Sequence, residues 1–337
     1  MRHVVLTNSQ LHGPEYGMLR DFEDEIVRVT GAERFEAPMR NFPGFIGRRI
    51  AHGVRFASLR KFIPKVDYKL EADVLWVVLM GPENMSLDLF KNWNSRAGVK
   101  ILYLFDTMES QLPTIRRLLR AARWNLTITS FPAAKSFLER ETQRKWHAVP
   151  QGVKLERFKP APLNEKLIDF CAYGRRLERI HEIVKRYCQQ TGKHYDYTTA
   201  ASLQPHLDPR DNYDIYAWHV NHSVFNFCWP VELTTARRVS TFSPITCRWF
   251  EAAASCSVIL GRCPEDACFG ELFGPGMVVP LDYTKGSESI RNYLDALWAD
   301  RECHLKRAME RRSQFAQQWT WESRVREILR IISHSNE

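Results

Sequence analysis

The sequence predicts an α/β protein built from two doubly wound domains. Three observations carry this. Short apolar runs alternate with helical patterns up to about residue 160 and again after residue 166. The runs are nearly all-apolar, as strands of a parallel sheet covered on both faces must be. Between the two regions lies 151–166, QGVKLERFKPAPLNEK, whose turn, prolines and charges read as a linker. A length of 337 residues suits roughly two domains of ~150 residues each.

In chain order, HVVLTNS (3–9) reads as a strand opening into a glycine-containing loop. MLRDFEDEIVRVTG then has helical spacing, with Leu19, Phe22 and Ile26 on one face and Gly31 as the stop. Residues 72–80 and 99–105 are continuous apolar strands, the second ending at Asp106. LPTIRRLLRAARW reads as helix, NLTITS as strand, FPAAKSFLERE as helix and KWHAVP as a last short strand. After the linker, LIDFCAYG, SVFNFCW, SVILG and MVVPLD read as strands. RRLERIHEIVKRYCQQTG and CRWFEAAAS read as helices, and 287–332 as mostly helix, broken near Trp319 and Trp321. No repeat of solenoid spacing occurs.

Composition narrows the function classes. Hydrophobic residues make up 44% and charged residues 26%, which excludes wholesale disorder and collagen-like chains. No apolar run reaches the ~18 residues of a membrane helix, and the N-terminal apolar stretch is too short for a signal peptide. The expectation is a cytoplasmic protein. All eight cysteines lie between Cys171 and Cys303, with no CxxC, so reduced and mostly buried thiols are expected rather than a metal site. A net charge of +9 favours an anionic partner: a nucleotide, a nucleic acid or an anionic lipid surface. Residues 45–69 hold seven Lys/Arg against one Asp, interleaved with apolar side chains. This segment reads either as a solvated helix packed on the sheet or as a peripheral contact to anionic membrane or to an anionic acceptor. No zinc-finger, RNP or helix-turn-helix signature supports nucleic acid.

Open parallel sheets bind ligands at the carboxyl ends of their strands, so the strand ends hold the candidate residues. In the second half these are Gly174 with Arg175, Arg176 and Arg179, whose forks suit a diphosphate or else ordinary helix ion pairs. The segment 241–251 offers Ser243 followed by Pro244 as a helix N-cap, Arg248, and the carboxylate of Glu251. Glu251 is either an ion-pair partner or a group that binds vicinal hydroxyls. In the first half the strand ends carry His12, Gly13 and Glu15, and then Asp106 and Glu109. Asp106 reads as a base or as a loop hydrogen-bond acceptor, and His12 as the alternative base.

Several segments resemble one family. PQGVKLERFKP is similar to the Pro-x-Gly-Val-x-x-x-x-Phe-x-Pro linker of GT-B glycosyltransferases of the glycogen-synthase-like group. RWFEAAASCSVILG resembles that group's Phe-Glu-Ala-x-Ala-x-Gly-x-x-Leu signature, and CFGELFGPGMVVPLDY with WTWESRVREILRII resembles its C-terminal region. YGRRLERI and the Arg-x-Phe-Glu form resemble the CgeB-like branch. The matches cover roughly residues 150–332. Two departures stand out: Ser243 occupies the position of the family's first Glu, and Cys256 that of a usual Gly.

The resemblance implies two Rossmann-like domains with parallel sheets facing a cleft, at 1–160 and 161–317, and a C-terminal helix, 318–337, crossing back to the first. It implies a nucleotide-diphosphate-sugar co-substrate held by the second domain, at Gly174, Arg175, Arg176, Arg179, Ser243, Arg248 and Glu251, with Glu251 on the ribose. The arginines would stabilise the leaving diphosphate without a metal or other cofactor. The first domain would bind a glycan, lipid-linked or small-molecule acceptor, near Gly13, Glu15 and Glu109, with Asp106 or His12 as base. The rival readings are a nucleotide-sugar epimerase, a non-catalytic binding protein of the same fold, and a nucleic-acid-modifying glycosyltransferase.

Overall fold

The computed structural model describes residues 1–7, 17–36, 66–81, 87, 90–198, 209–234 and 240–335. The chain forms two compact units: Met1–Pro150 with Pro205–Arg210 and Arg324–Glu337, and Gln151–Gln204 with Asp211–Ser323. Residues 45–65 of the basic segment lie outside the described residues, as do His12, Gly13 and Glu15.

In the first unit the chain runs β1 (His3–Thr7), α1 (Gly17–Thr30), β2 (Glu33–Glu36), β3 (Val66–Asp67), β4 (Ala72–Leu79), β5 (Phe90–Lys91), β6 (Ala97–Leu104), α2 (Leu112–Ala121), β7 (Leu126–Thr129), α3 (Lys135–Thr142) and β8 (His147–Ala148). Six of these strands form a sheet in the order β2-β1-β4-β6-β7-β8, every pair parallel. Seven of the eight β4 residues are buried, because crossover helices cover both faces of such a sheet. On α1, Leu19, Phe22 and Ile26 are fully buried, as their spacing predicts.

The second unit holds β9 (Ile168–Ala172), α4 (Glu178–Thr191), β10 (Tyr195–Tyr197), α5 (Pro209–Asn221), whose first two residues belong to the first unit, β11 (Ser223–Cys228), α6 (Val231–Thr234), α7 (Cys247–Ala254), β12 (Val258–Gly261), α8 (Ala267–Phe273), β13 (Val278–Pro280), α9 (Ser287–Ala299) and α10 (Arg301–Phe315). Its sheet is also parallel, in the order β10-β9-β11-β12-β13. One face carries an aromatic core in which Phe170 stacks on Phe225 at 5.2 Å and meets Tyr187 of α4 edge-on at 6.0 Å.

The elements depart from the sequence reading in instructive ways. The strands β2 and β10 and the helix α5 are additional to it. Both strands are edges, and their sequences, ERFE and YDY, carry charge that a half-paired strand tolerates. The last strand of the first half shortens to two residues, and the helix expected from Arg175 begins at Glu178. The helical end divides into α9, α10, a 3-10 turn at Ala316–Trp319 and α11 (Trp321–Ser335). From Arg324 onward α11 belongs to the first unit and contacts α1. Val325, Ile328 and Ile332 form its buried stripe.

The expected break at Trp319 and Trp321 is a buried anchor. Trp319 is fully buried and donates from its indole to the Leu272 carbonyl at 2.8 Å. The linker pairs with this break: the Val153 amide donates to the Trp319 carbonyl at 2.7 Å and the Trp321 amide to the Val153 carbonyl at 3.3 Å. A side chain at Gly152 would place its Cβ 2.9 Å from the Trp321 ring and 3.0 Å from the Trp319 carbonyl. Glycine is therefore required by close approach. Gly152→Ala is expected to destabilise the second unit by about 1–3 kcal/mol, the usual cost of overpacking. Urea unfolding of the variant checks this, and an unchanged midpoint would refute it.

Candidate functional site

The second sheet reverses direction once. From β9 the chain moves outward to β10, then crosses back to β11 on the other side of β9. The crevice outside the carboxyl ends of β9 and β11 is thus a topological switch point, where open α/β sheets place their ligands. Tyr173 and Gly174 follow β9 there. Gly174 has φ +79, and its Cβ position lies only 2.1 Å from Nη2 of Arg248. The Arg248 guanidinium thus occupies the space that any other residue at 174 would fill. Its Nη1 donates to the Arg175 carbonyl at 2.9 Å.

The other expected arginines divide by what they hold. Arg176 donates to the Thr198 carbonyl at 2.9 Å, pairs with Glu178 at 3.2 Å and lies over the Tyr197 ring. Arg179 donates to the carbonyls of Tyr283 and Lys285, beyond β13. Both fasten loops at the carboxyl edge of the sheet. Arg175 is half-buried beside Gly174.

Glu251 sits on α7 and is buried. Its two oxygens accept from the phenols of Tyr213, at 2.6 Å, and Tyr216, at 2.7 Å. Burial raises its pKa, opposed by the two phenol hydrogen bonds and by Arg248. The tyrosines stack at 5.9 Å, and Phe158 of the linker meets Tyr213 edge-on at 5.3 Å. Two segments singled out in the sequence therefore meet through a pair that sequence reasoning missed. Tyr213 and Tyr216 stand one turn apart on α5, but their partner lies 38 and 35 residues away.

Ser243 is not the N-cap. α7 begins at Cys247, with Thr246 in the cap position at φ −95, ψ 165 and no side-chain cap bond. Residues 243–246 are buried ahead of the helix, and Thr246 holds extended backbone, so the helical turn starts only at Cys247. Ser243 is 4% exposed and its Oγ has no hydrogen-bond partner among the described residues. Cys256, in place of the usual glycine, takes φ +49. The site needs left-handed backbone there, which explains why glycine is favoured at it.

In the first unit the switch point falls between β1 and β4. Asp106 is half-buried two residues beyond β6, and its carbonyl lies 3.4 Å from the Cβ position of Gly81, which follows β4. Glu109 is half-buried and opens a 3-10 turn, Glu109–Gln111. The structure thus brings Asp106 to the exit of β4. Glu23 was missed. It is fully buried on α1 and accepts a hydrogen bond from the hydroxyl of Thr7, the last residue of β1. Arg20 stands 3.7 Å away. The signal was available, since positions 19, 22, 23 and 26 share one helix face. Among the described residues no helix is long and apolar enough to cross a membrane.

No protein-family model matches the chain, and no curated protein matches its sequence. Solved structures do match it. A glycosyltransferase from Rickettsia africae ESF-5 is 8% identical, with a TM-score of 0.54 over 100% of this chain and 98% of its own. HepE from Anabaena, in complex with UDP-glucose, is 11% identical, with a TM-score of 0.51 over 99% of this chain and 100% of its own. A UDP-forming α,α-trehalose-phosphate synthase from Burkholderia vietnamiensis is 12% identical, with a TM-score of 0.50 over 98% of this chain and 100% of its own. At these identities the likeness is one of fold. The chain has the GT-B fold, as the sequence resemblance implied.

Burial raises the Glu23 pKa from its ordinary value to about 7, against the Thr7 hydrogen bond and Arg20. A raised carboxyl pKa adds stability that is fully present below the unfolded value of 4.5 and lost as pH rises through about 7. The loss is on the order of 3 kcal/mol at 1.36 kcal/mol per unit. Glu23→Gln should flatten the stability profile between pH 4.5 and 8. Denaturant unfolding across that range measures it, and an equally steep profile in the variant would refute the assignment.

Proposed function

We propose that the protein transfers a sugar from a nucleotide-diphosphate donor to a hydroxyl acceptor. The observation that carries this reading is the seating of Arg248 on Gly174 at the switch point of the second sheet. A permanently charged fork, fixed beside backbone that a ligand can approach closely, suits a diphosphate. The matched GT-B structures support the class, and the HepE complex supports a nucleotide-sugar donor. YGRRLERI and the Arg248-x-Phe250-Glu251 form favour the CgeB-like branch. In this reading Arg248 and Arg175 stabilise the leaving diphosphate, so that no metal is needed. Glu251 accepts the ribose hydroxyls with the lone pairs its tyrosines leave, a carboxylate having about four. A second reading, favoured by its burial, is that Glu251 serves only to hold Tyr213 and Tyr216.

Nucleotide binding tests the donor site. The matching nucleoside diphosphate, among uridine, guanosine, adenosine and thymidine forms, should raise stability by about 2.7 kcal/mol at 100 times its Kd. Arg248→Ala should weaken binding by ~1.5–3 kcal/mol, the scale of hydrogen bonds to charged groups. If Glu251 binds ribose, Glu251→Gln loses affinity while the protein stays stable. A variant that loses stability but keeps affinity assigns Glu251 to the tyrosine pair. No response to any of the four nucleotides would overturn the proposal.

For the chemistry, we propose Asp106 as the group that accepts the acceptor hydroxyl's proton, with His12 as the alternative and Glu109, Gly13 and Glu15 nearby in sequence on the acceptor side. A positioned base contributes roughly 10²–10⁴-fold in rate. Asp106→Asn should therefore lower turnover by about that factor with donor affinity unchanged, measured as nucleoside diphosphate released at saturating donor. Normal turnover in Asp106→Asn with loss in His12→Ala would move the role to His12. Absence of release by the wild type would favour a non-catalytic binding protein.

A further inference from the structure

The second unit has a cavity of about 360 Å³ where β12 and β13 begin, roofed by α10. That volume lies within the range of small-molecule sites, ~300–1,000 Å³. It lies against the amino end of β12 and the length of β13, whereas Arg248 and Gly174 lie outside the carboxyl ends of β9 and β11. Its floor is apolar, including Ile259, Met277 and Val278. Its roof is not. α10 turns His304, Arg307, Ala308 and Arg311 toward it, the i, i+3, i+4, i+7 stripe of one helix face. A helix that covers a sheet normally puts apolar residues on that stripe. Here three of the four are basic, and among the described residues no acidic one lines the cavity.

The two arginines are arranged differently. Arg311 is held in place, donating from Nη2 to the Pro275 carbonyl at 2.7 Å and lying against Gly276. Arg307, two turns from the start of α10, has no hydrogen bond or ion pair with any described residue. Burial lowers the His304 pKa, so at neutral pH its imidazole is a neutral hydrogen-bonding group beside the two cations. A bare inorganic anion would satisfy the forks and leave the floor wet. A neutral hydrocarbon would cover the floor and desolvate the forks without compensation. A molecule with an anionic head and an apolar body satisfies both. All three residues of β13, the edge strand of the sheet, line the cavity, so an apolar chain can lie along it without displacing a strand.

We propose that this cavity is a second ligand site, for an amphipathic anion: a short apolar chain bearing one carboxylate or phosphate head, the head between Arg307 and Arg311 and the chain on the Ile259, Met277 and Val278 floor. It stands independently of the nucleotide reading, because it shares no residue with the Arg248 site.

The test is calorimetric titration of the full chain with octyl phosphate and octanoate, kept below micelle-forming concentrations, and with 1-octanol and inorganic phosphate. At least one octyl anion should bind saturably, about tenfold or more tighter than both 1-octanol and inorganic phosphate. The tighter of the two names the head. Arg307→Ala, an exposed position, should weaken that binding about tenfold, and Ala308→Leu, which fills the cavity, should weaken it with Arg307 intact. Equal binding of 1-octanol would reduce the site to a greasy groove, and equal binding of inorganic phosphate would reduce it to a basic patch. Either result overturns the proposal, as does unchanged affinity in Arg307→Ala or no saturable binding of either anion.

Discussion

A parallel strand cannot be joined to its neighbour by a tight turn. Each needs a crossover that runs over one face of the sheet, and this constraint organises both units of the protein. It buries the strands on both sides, which is why β4 and β11 are almost wholly buried. It also leaves the strand ends as the places where backbone groups and polar side chains can meet a ligand. In each unit the second strand of the sheet pairs on the outer side of the first, and the chain then crosses to the other side. The crevice that results is where Gly174, Arg175 and Arg248 gather in the second unit, and where Thr7 meets Glu23 in the first.

Within that frame the site of the second unit is held by a few polar contacts made in apolar surroundings. Arg248 depends on the missing side chain at 174, and Glu251 depends on two phenols, one of which is buttressed by Phe158. Buried hydrogen bonds of this kind are strong because water does not compete, and costly when one partner is removed. The arginine cluster that looks uniform in sequence is divided by its contacts. Arg176 and Arg179 secure loops, while Arg248, from a helix more than seventy residues later, supplies the fork beside Gly174.

The unit also shows how one sheet can serve two ends. The crevice outside the carboxyl ends of β9 and β11 holds Gly174, Arg175 and Arg248. The amino ends of β12 and β13 border an apolar floor under a basic helix stripe. The net charge of +9 is thus not spread evenly in its consequences. Part of it stands beside apolar surface, on the exposed Arg307 and the half-buried Arg311.

The sequence by itself determined the fold class, most of the long strands and the break at Trp319. These are properties of local patterns: apolar runs, helical spacing, and proline and turn residues at fixed positions. It also located Gly174 and Asp106 just beyond strands and Glu251 within a helix. It did not determine β2 and β10, because edge strands of three or four residues pair on one side only and need no continuous apolar run. Those same strands create the switch points. The tertiary structure alone decided that Thr246 rather than Ser243 precedes α7, that Tyr213 and Tyr216 hold Glu251, and that Glu23 lies sealed beneath Thr7. The partners of Glu251 and Glu23 lie 38, 35 and 16 residues away along the chain, and no local period records such a pairing, although the spacing of 19, 22, 23 and 26 does mark the buried face that carries Glu23.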